Sequence, residues 1–141
     1  LETYAEEDKN QEIKIDYDEE KNQIQLVFPE QIAFDLGRAV LKPRFRRLLR
    51  AFFDFKNEAV LVEVIGHTDS RPVHGGRFKS NWELSSARAS SVIQALIENG
   101  SVLPSQAKAV GVADTHPFSL GKTEEDYAKN RRVEILVTPA K

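Results

Sequence analysis

The stretch from residue 60 to residue 88 constrains this chain more than any other. Val60-Leu61-Val62-Glu63-Val64-Ile65 is almost continuously apolar and β-branched, which reads as an interior strand buried on both faces. It runs into Gly66-His67-Thr68-Asp69, and a long polar loop follows over residues 70–79. Ser80-Asn81-Trp82-Glu83 then has the form of a capping box, with Ser80 as N-cap and Glu83 at the third helical position. The helix it opens extends to about Asn99, and Gly100 is placed to end it. Residues 107–112 form a second short apolar strand. Strand, helix and strand in that order require a right-handed crossover, so the two strands are parallel neighbours.

The flanking segments add strands of a different kind. EIKIDYDEEKNQIQLVF, residues 12–28, alternates in polarity on both sides of a polar turn, which predicts a β-hairpin with one buried face. Residues 29–42 read as a connection. Pro43 suits the first position of a helix, where its missing N–H costs nothing. Phe45, Leu48, Leu49 and Phe52 then recur at helical spacing to about Lys56, with Arg44, Arg46, Arg47 and Arg50 on the other faces. Residues 113–130 are a second long loop with a short helix expected at 124–128, and residues 132–138 close the chain as a strand. Residues 1–11, LETYAEEDKNQ, are polar and acidic and read as a lead-in or linker end. Residues 12–141 suit one domain with a single core. The expected class is α+β: a mixed sheet with two main helices packed on one face.

Several function classes lose support at this stage. The formal net charge of -2 lacks the basic footprint of a nucleic-acid binder. No apolar run approaches the roughly 18 residues of a membrane span, and no signal peptide is visible. A chain that opens on Leu1 without any Met reads as a fragment or a processed form, so an upstream anchor would lie outside this sequence. The absence of Cys removes thiolate chemistry and disulfides. His67, His74 and His116 lack short ligand spacing, and no HExxH or Gly-x-Ser-x-Gly pattern is present. No metal, cofactor or catalytic residue is therefore expected.

One residue conflicts with an ordinary amphipathic helix. At about 100° per residue, Leu84, Ala87, Ser91, Val92 and Ala95 share a side, and Arg88 falls in its middle. A guanidinium on the core-facing stripe is costly unless a carboxylate or other acceptors meet it. Asp69 lies just beyond the strand end that faces the start of this helix, so the two side chains are expected at one pocket. A salt bridge pinning the loop to the helix is one reading. The other is a zwitterion clamp, in which Asp69 accepts from a ligand ammonium while Arg88 grips its carboxylate through a bidentate fork. The residues themselves leave the two readings balanced.

Four ordered segments extend the second reading. Phe34-Asp35 with Leu41-Lys42-Pro43, Gly66-His67-Thr68-Asp69, Asn81-Trp82-Glu83-Leu84-Ser85-Ser86-Ala87-Arg88-Ala89, and Asn130-Arg131-Arg132-Val133-Glu134 resemble the OmpA-like peptidoglycan-binding domain across residues 24–138. Arg71-Pro72, Phe78 and Gly111-Val112-Ala113-Asp114-Thr115-His116-Pro117 resemble its MotB/PomB type, the flagellar stator subunit, with Val112 where a Tyr or Met is frequent. The resemblance implies an OmpA-like βαβαβ-type sheet and a non-enzymatic domain that holds the meso-diaminopimelate stem peptide of peptidoglycan. By resemblance, Asp69 takes the ammonium and Arg88 the carboxylate, with Phe34, Asp35, Thr68, Asn81, Leu84 and Arg131 around them. Arg131 or Arg132 could instead pair with Asp35 or Glu134. The resemblance further implies a periplasmic homodimer, held in the inner membrane by an absent segment that meets a channel-forming stator partner. Two alternatives stay open: an outer-membrane or lipoprotein anchor, or a stator-like subunit of another machine. A third, from a different class, is a wall hydrolase.

Overall fold

A computed structural model of the chain describes residues 13–73 and 76–140. The lead-in expected at residues 1–11 and His74 lie outside the described residues. In chain order the elements are β1 (Lys14–Asp18), β2 (Gln23–Pro29), α1 (Glu30–Ala33), α2 (Pro43–Phe52), β3 (Val60–His67), α3 (Asn81–Glu98), a 3₁₀ turn (Pro104–Gln106), β4 (Ala107–Gly111), α4 (Glu124–Asn130) and β5 (Arg132–Pro139). The strands form one sheet in the order β1-β2-β5-β3-β4. Among the described residues the β3–β4 pair is parallel and the other three pairings are antiparallel. The expected α+β class and the parallel crossover pair are both present.

The register collects one end of every strand on one edge. Lys14 pairs with Val27, Pro29 with Arg132, Arg132 with His67, and Gly66 with Gly111. That edge carries Asp69 and the start of α3.

Helices α2 and α3 cover one face of the sheet, as expected. Phe45, Leu48 and Leu49 of α2 and Ala89, Val92 and Leu96 of α3 join Leu26, Phe28, Val62, Val64, Val133, Ile135 and Val137 of the sheet in one core. Phe45 anchors this core, with ring centroids 5.0 Å from Phe28 and 6.1 Å from Phe34. Two glycines let α3 lie almost against the strands beneath it. A Cβ on Gly66 would stand 2.3 Å from the Ser85 carbonyl oxygen, and one on Gly111 would stand 2.4 Å from the Ser86 amide nitrogen.

Several sequence expectations need correction. Strand β3 is interior to the sheet, but its second face is covered only toward its end: Val62 and Val64 are enclosed on the first face, while on the second Leu61 is half exposed and only His67 is buried. No main helix covers the second face, so its apolar run reflects strand propensity more than double burial. Strand β1 is exposed along its whole length, so the buried face of the hairpin belongs to β2 alone. As the outermost strand, β1 lies beyond the helices. The supposed connection at residues 29–42 contains α1 and a bridge between Phe34 and Leu41. Helix α2 ends at Phe52, short of Lys56. The N-cap of α3 is half of a capping box: the Ser80 hydroxyl accepts from the Glu83 amide at 3.2 Å, but the Glu83 carboxylate accepts from the Lys79 amide.

Candidate functional site

Arg88 is 2% exposed, on the core-facing side of α3, so the conflict read from its periodicity is real. Its direct partner is a residue the sequence did not single out. Nη2 of Arg88 lies 2.7 Å from Glu30 Oε2, at the first position of α1. Its Nε donates to the Arg38 carbonyl at 2.7 Å and Nη2 to the Asp35 carbonyl at 3.1 Å. The guanidinium also sits 4.9 Å from the Phe34 ring centroid. Segment 30–38 thus wraps the arginine with one carboxylate, two carbonyls and an aromatic face.

The other Glu30 oxygen meets Arg131. Arg131 Nε donates to Glu30 Oε1 at 2.8 Å, and its Nη1 donates to Asp69 Oδ2 at 2.8 Å. Asp69 and Arg88 therefore belong to one buried chain of charges, Asp69–Arg131–Glu30–Arg88, without forming a salt bridge to each other. Two carboxylates and two guanidiniums alternate along it, so neighbours are opposite in sign and the chain as a whole is neutral. Such alternation is what makes buried charge tolerable.

Asp69 is held further by Arg71. The Arg71 backbone N–H donates to Oδ1 at 2.9 Å, and its side chain donates to Oδ2 through Nη2 at 2.8 Å and Nε at 3.2 Å. Burial alone would raise the Asp69 pKa. Hydrogen bonds from Arg71 and Arg131 outweigh it and hold the carboxyl below the usual aspartate range. Burial pushes the Arg88 pKa down and Glu30 opposes it, yet a guanidinium stays charged.

The remaining expected residues fall in three groups. Phe34, Thr68 and Leu84 are buried around the cluster, and the Thr68 hydroxyl donates to the Asp69 carbonyl at 2.8 Å. Asn81 ties the loop to α3 by donating to the Arg71 carbonyl at 3.0 Å. Asp35 contributes its carbonyl, while its exposed carboxylate turns to Lys42 at 3.8 Å. Neither arginine of the Asn-Arg-Arg run pairs with Asp35. Arg131 belongs to the charge chain, and Arg132 donates to the carbonyls of Asn130 and His116. Trp82, at the second position of α3, is 54% exposed. Glu30 escaped notice because it lies in PEQIAF, whose only helix is a single turn.

A cavity of about 970 Å³ lies on the sheet face away from α2 and α3, lined by Lys14, His67, Phe118, Lys129 and Glu134 among others. Glu30 and Arg131 reach its wall, but Asp69 and Arg88 do not. In its floor the His67 Nε2 meets a Glu134 carboxylate oxygen. Burial pushes the His67 pKa down against the Glu134 hydrogen bond, so the ring is neutral at pH 7, and its buried Nδ1 has no partner. Among the described residues no group of His, Asp and Glu could hold a metal ion, and no helix is long and apolar enough to cross a membrane.

The chain matches the OmpA family over residues 33–131, and it belongs to that family. Motility protein B of Bacillus subtilis (strain 168) is 33% identical over 116 residues, covering 81% of this chain and 44% of that protein. The chain thus spans less than half the length of that relative. Among solved structures, a MotB-like protein from Desulfovibrio vulgaris superposes with a TM-score of 0.80 at 28% identity, over 90% of this chain and 81% of that one. The cell wall anchor of the T6SS from Pseudomonas aeruginosa gives 0.78 at 28% identity, over 99% and 96%.

Proposed function

We propose that this domain is a non-catalytic peptidoglycan anchor that clamps the zwitterionic end of meso-diaminopimelate, and that it serves a membrane complex of the flagellar-stator kind. The observation that carries the reading is the buried charge chain at the sheet edge. It carries a carboxylate, Asp69, at one side, where Arg71 also pairs, and a guanidinium, Arg88, at the other. A free amino-acid head group needs both: an acceptor for its ammonium and a fork for its carboxylate. Arg131 and Glu30 lie between them and fix their spacing. Phe34 limits the approach to Arg88, Asn81 holds the loop that carries Arg71, and Thr68 and Leu84 fill in around them. Because charge is matched inside the cluster, a neutral zwitterion can join it without adding net charge to a partly dry site.

The stator assignment follows the likeness to Motility protein B and the MotB-like structure. In that setting the domain works as a homodimer in the periplasm, tethered to the inner membrane by an upstream segment that meets a channel-forming partner. The likeness to a type VI wall anchor favours one second reading, in which the same clamp serves another machine. Motility of a strain lacking the corresponding gene separates them: loss of swimming marks a stator, and retained swimming marks the other machine.

Purified sacculi test the clamp. Wild-type protein should co-sediment with them and release no soluble muropeptides, whereas folded Asp69→Ala and Arg88→Ala should stay in the supernatant. Sedimentation of both folded variants at wild-type levels would leave the cluster a purely structural network. Muropeptide release would make the domain a hydrolase instead.

A further inference from the structure

We infer that Arg71 is a built-in competitor for the ligand ammonium on Asp69, with helix α4 as the place to which it withdraws; this rests on the clamp reading above. The argument starts from the capacity of one carboxylate. Asp69 Oδ2 already receives three guanidinium N–H groups, two from Arg71 and one from Arg131, and Oδ1 receives the Arg71 amide. A carboxylate offers about four lone-pair positions in all. Oδ2 is therefore fully occupied, and Oδ1 has room only beside the Arg71 amide, so an ammonium that pairs through Oδ2 has to displace a donor.

The two guanidiniums are not equally free to leave. The Arg131 side chain is 15% exposed and braced by Glu30, so withdrawing it would break the charge chain. The Arg71 side chain is 44% exposed and has a second set of partners away from Asp69. Its Nη1 donates to Glu124 at 3.0 Å, and its guanidinium lies 4.3 Å from the Tyr127 ring centroid. Glu124 and Tyr127 both belong to α4, the helix that Arg131 of the charge chain caps at its C-terminal end. Arg71 can release Asp69 and keep an ion pair and a cation–π contact.

This arrangement sets specificity. With Arg71 withdrawn Asp69 keeps Arg131, and only a newcomer that is itself a full cation replaces the second positive partner. A neutral amide or hydroxyl at the same point would leave the carboxylate short of charge. Arg71 thus makes the site select a free ammonium over an acylated one.

The test uses isothermal titration of free meso-diaminopimelate, with its N,N′-diacetyl derivative, which has no free ammonium, as the comparator. Arg71→Ala should bind diaminopimelate about twofold to fivefold more tightly, the range expected when an exposed ion pair stops competing. It should also discriminate less against the acetylated compound. Glu124→Gln removes the withdrawal site and should weaken binding in the wild-type background, but should be silent once Arg71 is Ala. A structural role for Arg71 predicts the opposite sign, with looser binding in Arg71→Ala. Unchanged or weaker binding in Arg71→Ala, alongside loss of binding in Asp69→Ala, overturns the competitor role and leaves the clamp standing. If wild-type protein binds diaminopimelate no better than Asp69→Ala, the clamp itself falls, and the competitor with it.

Discussion

Glu30→Ala probes the charge chain at its centre. The substitution removes a carboxylate that is 6% exposed and touches two guanidiniums, at 2.7 Å from Arg88 and 2.8 Å from Arg131. Breaking a buried pair by deleting one partner costs about 3–5 kcal/mol, because the other charge stays buried without compensation. Two features place this case near the lower bound. Arg131 keeps Asp69, and Arg88 keeps two backbone carbonyls and the Phe34 ring. A loss of about 3 kcal/mol is therefore expected, which lowers Tm by roughly 10 °C for a domain of this size. Urea unfolding followed by far-UV circular dichroism reads it as a fall in midpoint at constant m-value. Asp35→Ala is the control, since that carboxylate is exposed and should cost less than about 0.5 kcal/mol. The two losses should also couple, so that Arg88→Ala costs less in the Glu30→Ala background than in the wild type. A Glu30→Ala midpoint equal to that of Asp35→Ala would show that the buried arginines do not depend on this carboxylate.

Two further outcomes follow from the packing and from a buried histidine. Gly66→Ala places a Cβ against the backbone of Ser85, where no side-chain rotation relieves the clash, so it should cost at least about 1–3 kcal/mol and loosen the seat of the helix that carries Arg88; equal denaturation midpoints for variant and wild type would refute it. His67 is held neutral by burial, so its folded pKa lies below its unfolded one. Its contribution is fully present above about pH 6.5, where a free histidine titrates, and is lost as pH falls toward the folded value. Denaturation midpoints measured between pH 7 and pH 5 should fall for wild type and fall less for His67→Gln; identical slopes would assign the acid sensitivity to another group.

What the sequence made legible divides along physical lines. Helix α3 and strand β3 were readable because their signals are local: a cap, a terminating glycine and a β-branched run. Arg88 was readable as an anomaly because burial on a helix follows from periodicity. Its partner was not, since pairing across the fold depends on where α1 docks, and a single helical turn carries no period. The same cause hid the role of Arg131, which periodicity leaves undistinguished from Arg132. The exposure of β1 was also illegible, because alternation in a hairpin does not say which strand lies beyond the helices. Arg71 could be seen in sequence only as part of a resemblance; its grip on Asp69 is a local turn, but its reach to Tyr127 is tertiary.

The gathering of strand ends on one edge has a mechanical meaning if the domain holds the wall while its N-terminal side is pulled. Strand β1 begins at Lys14 on the same edge as Asp69, three strand spacings away, or about 14 Å. Tension between those points crosses the sheet and does not run along the strands. It would therefore open the β1–β2 ladder one rung at a time, where a lengthwise pull would load all of its rungs together. The outer hairpin would yield first as a compliant element in series with the grip, before the ladders that hold Asp69, Arg131, Glu30 and Arg88 give way.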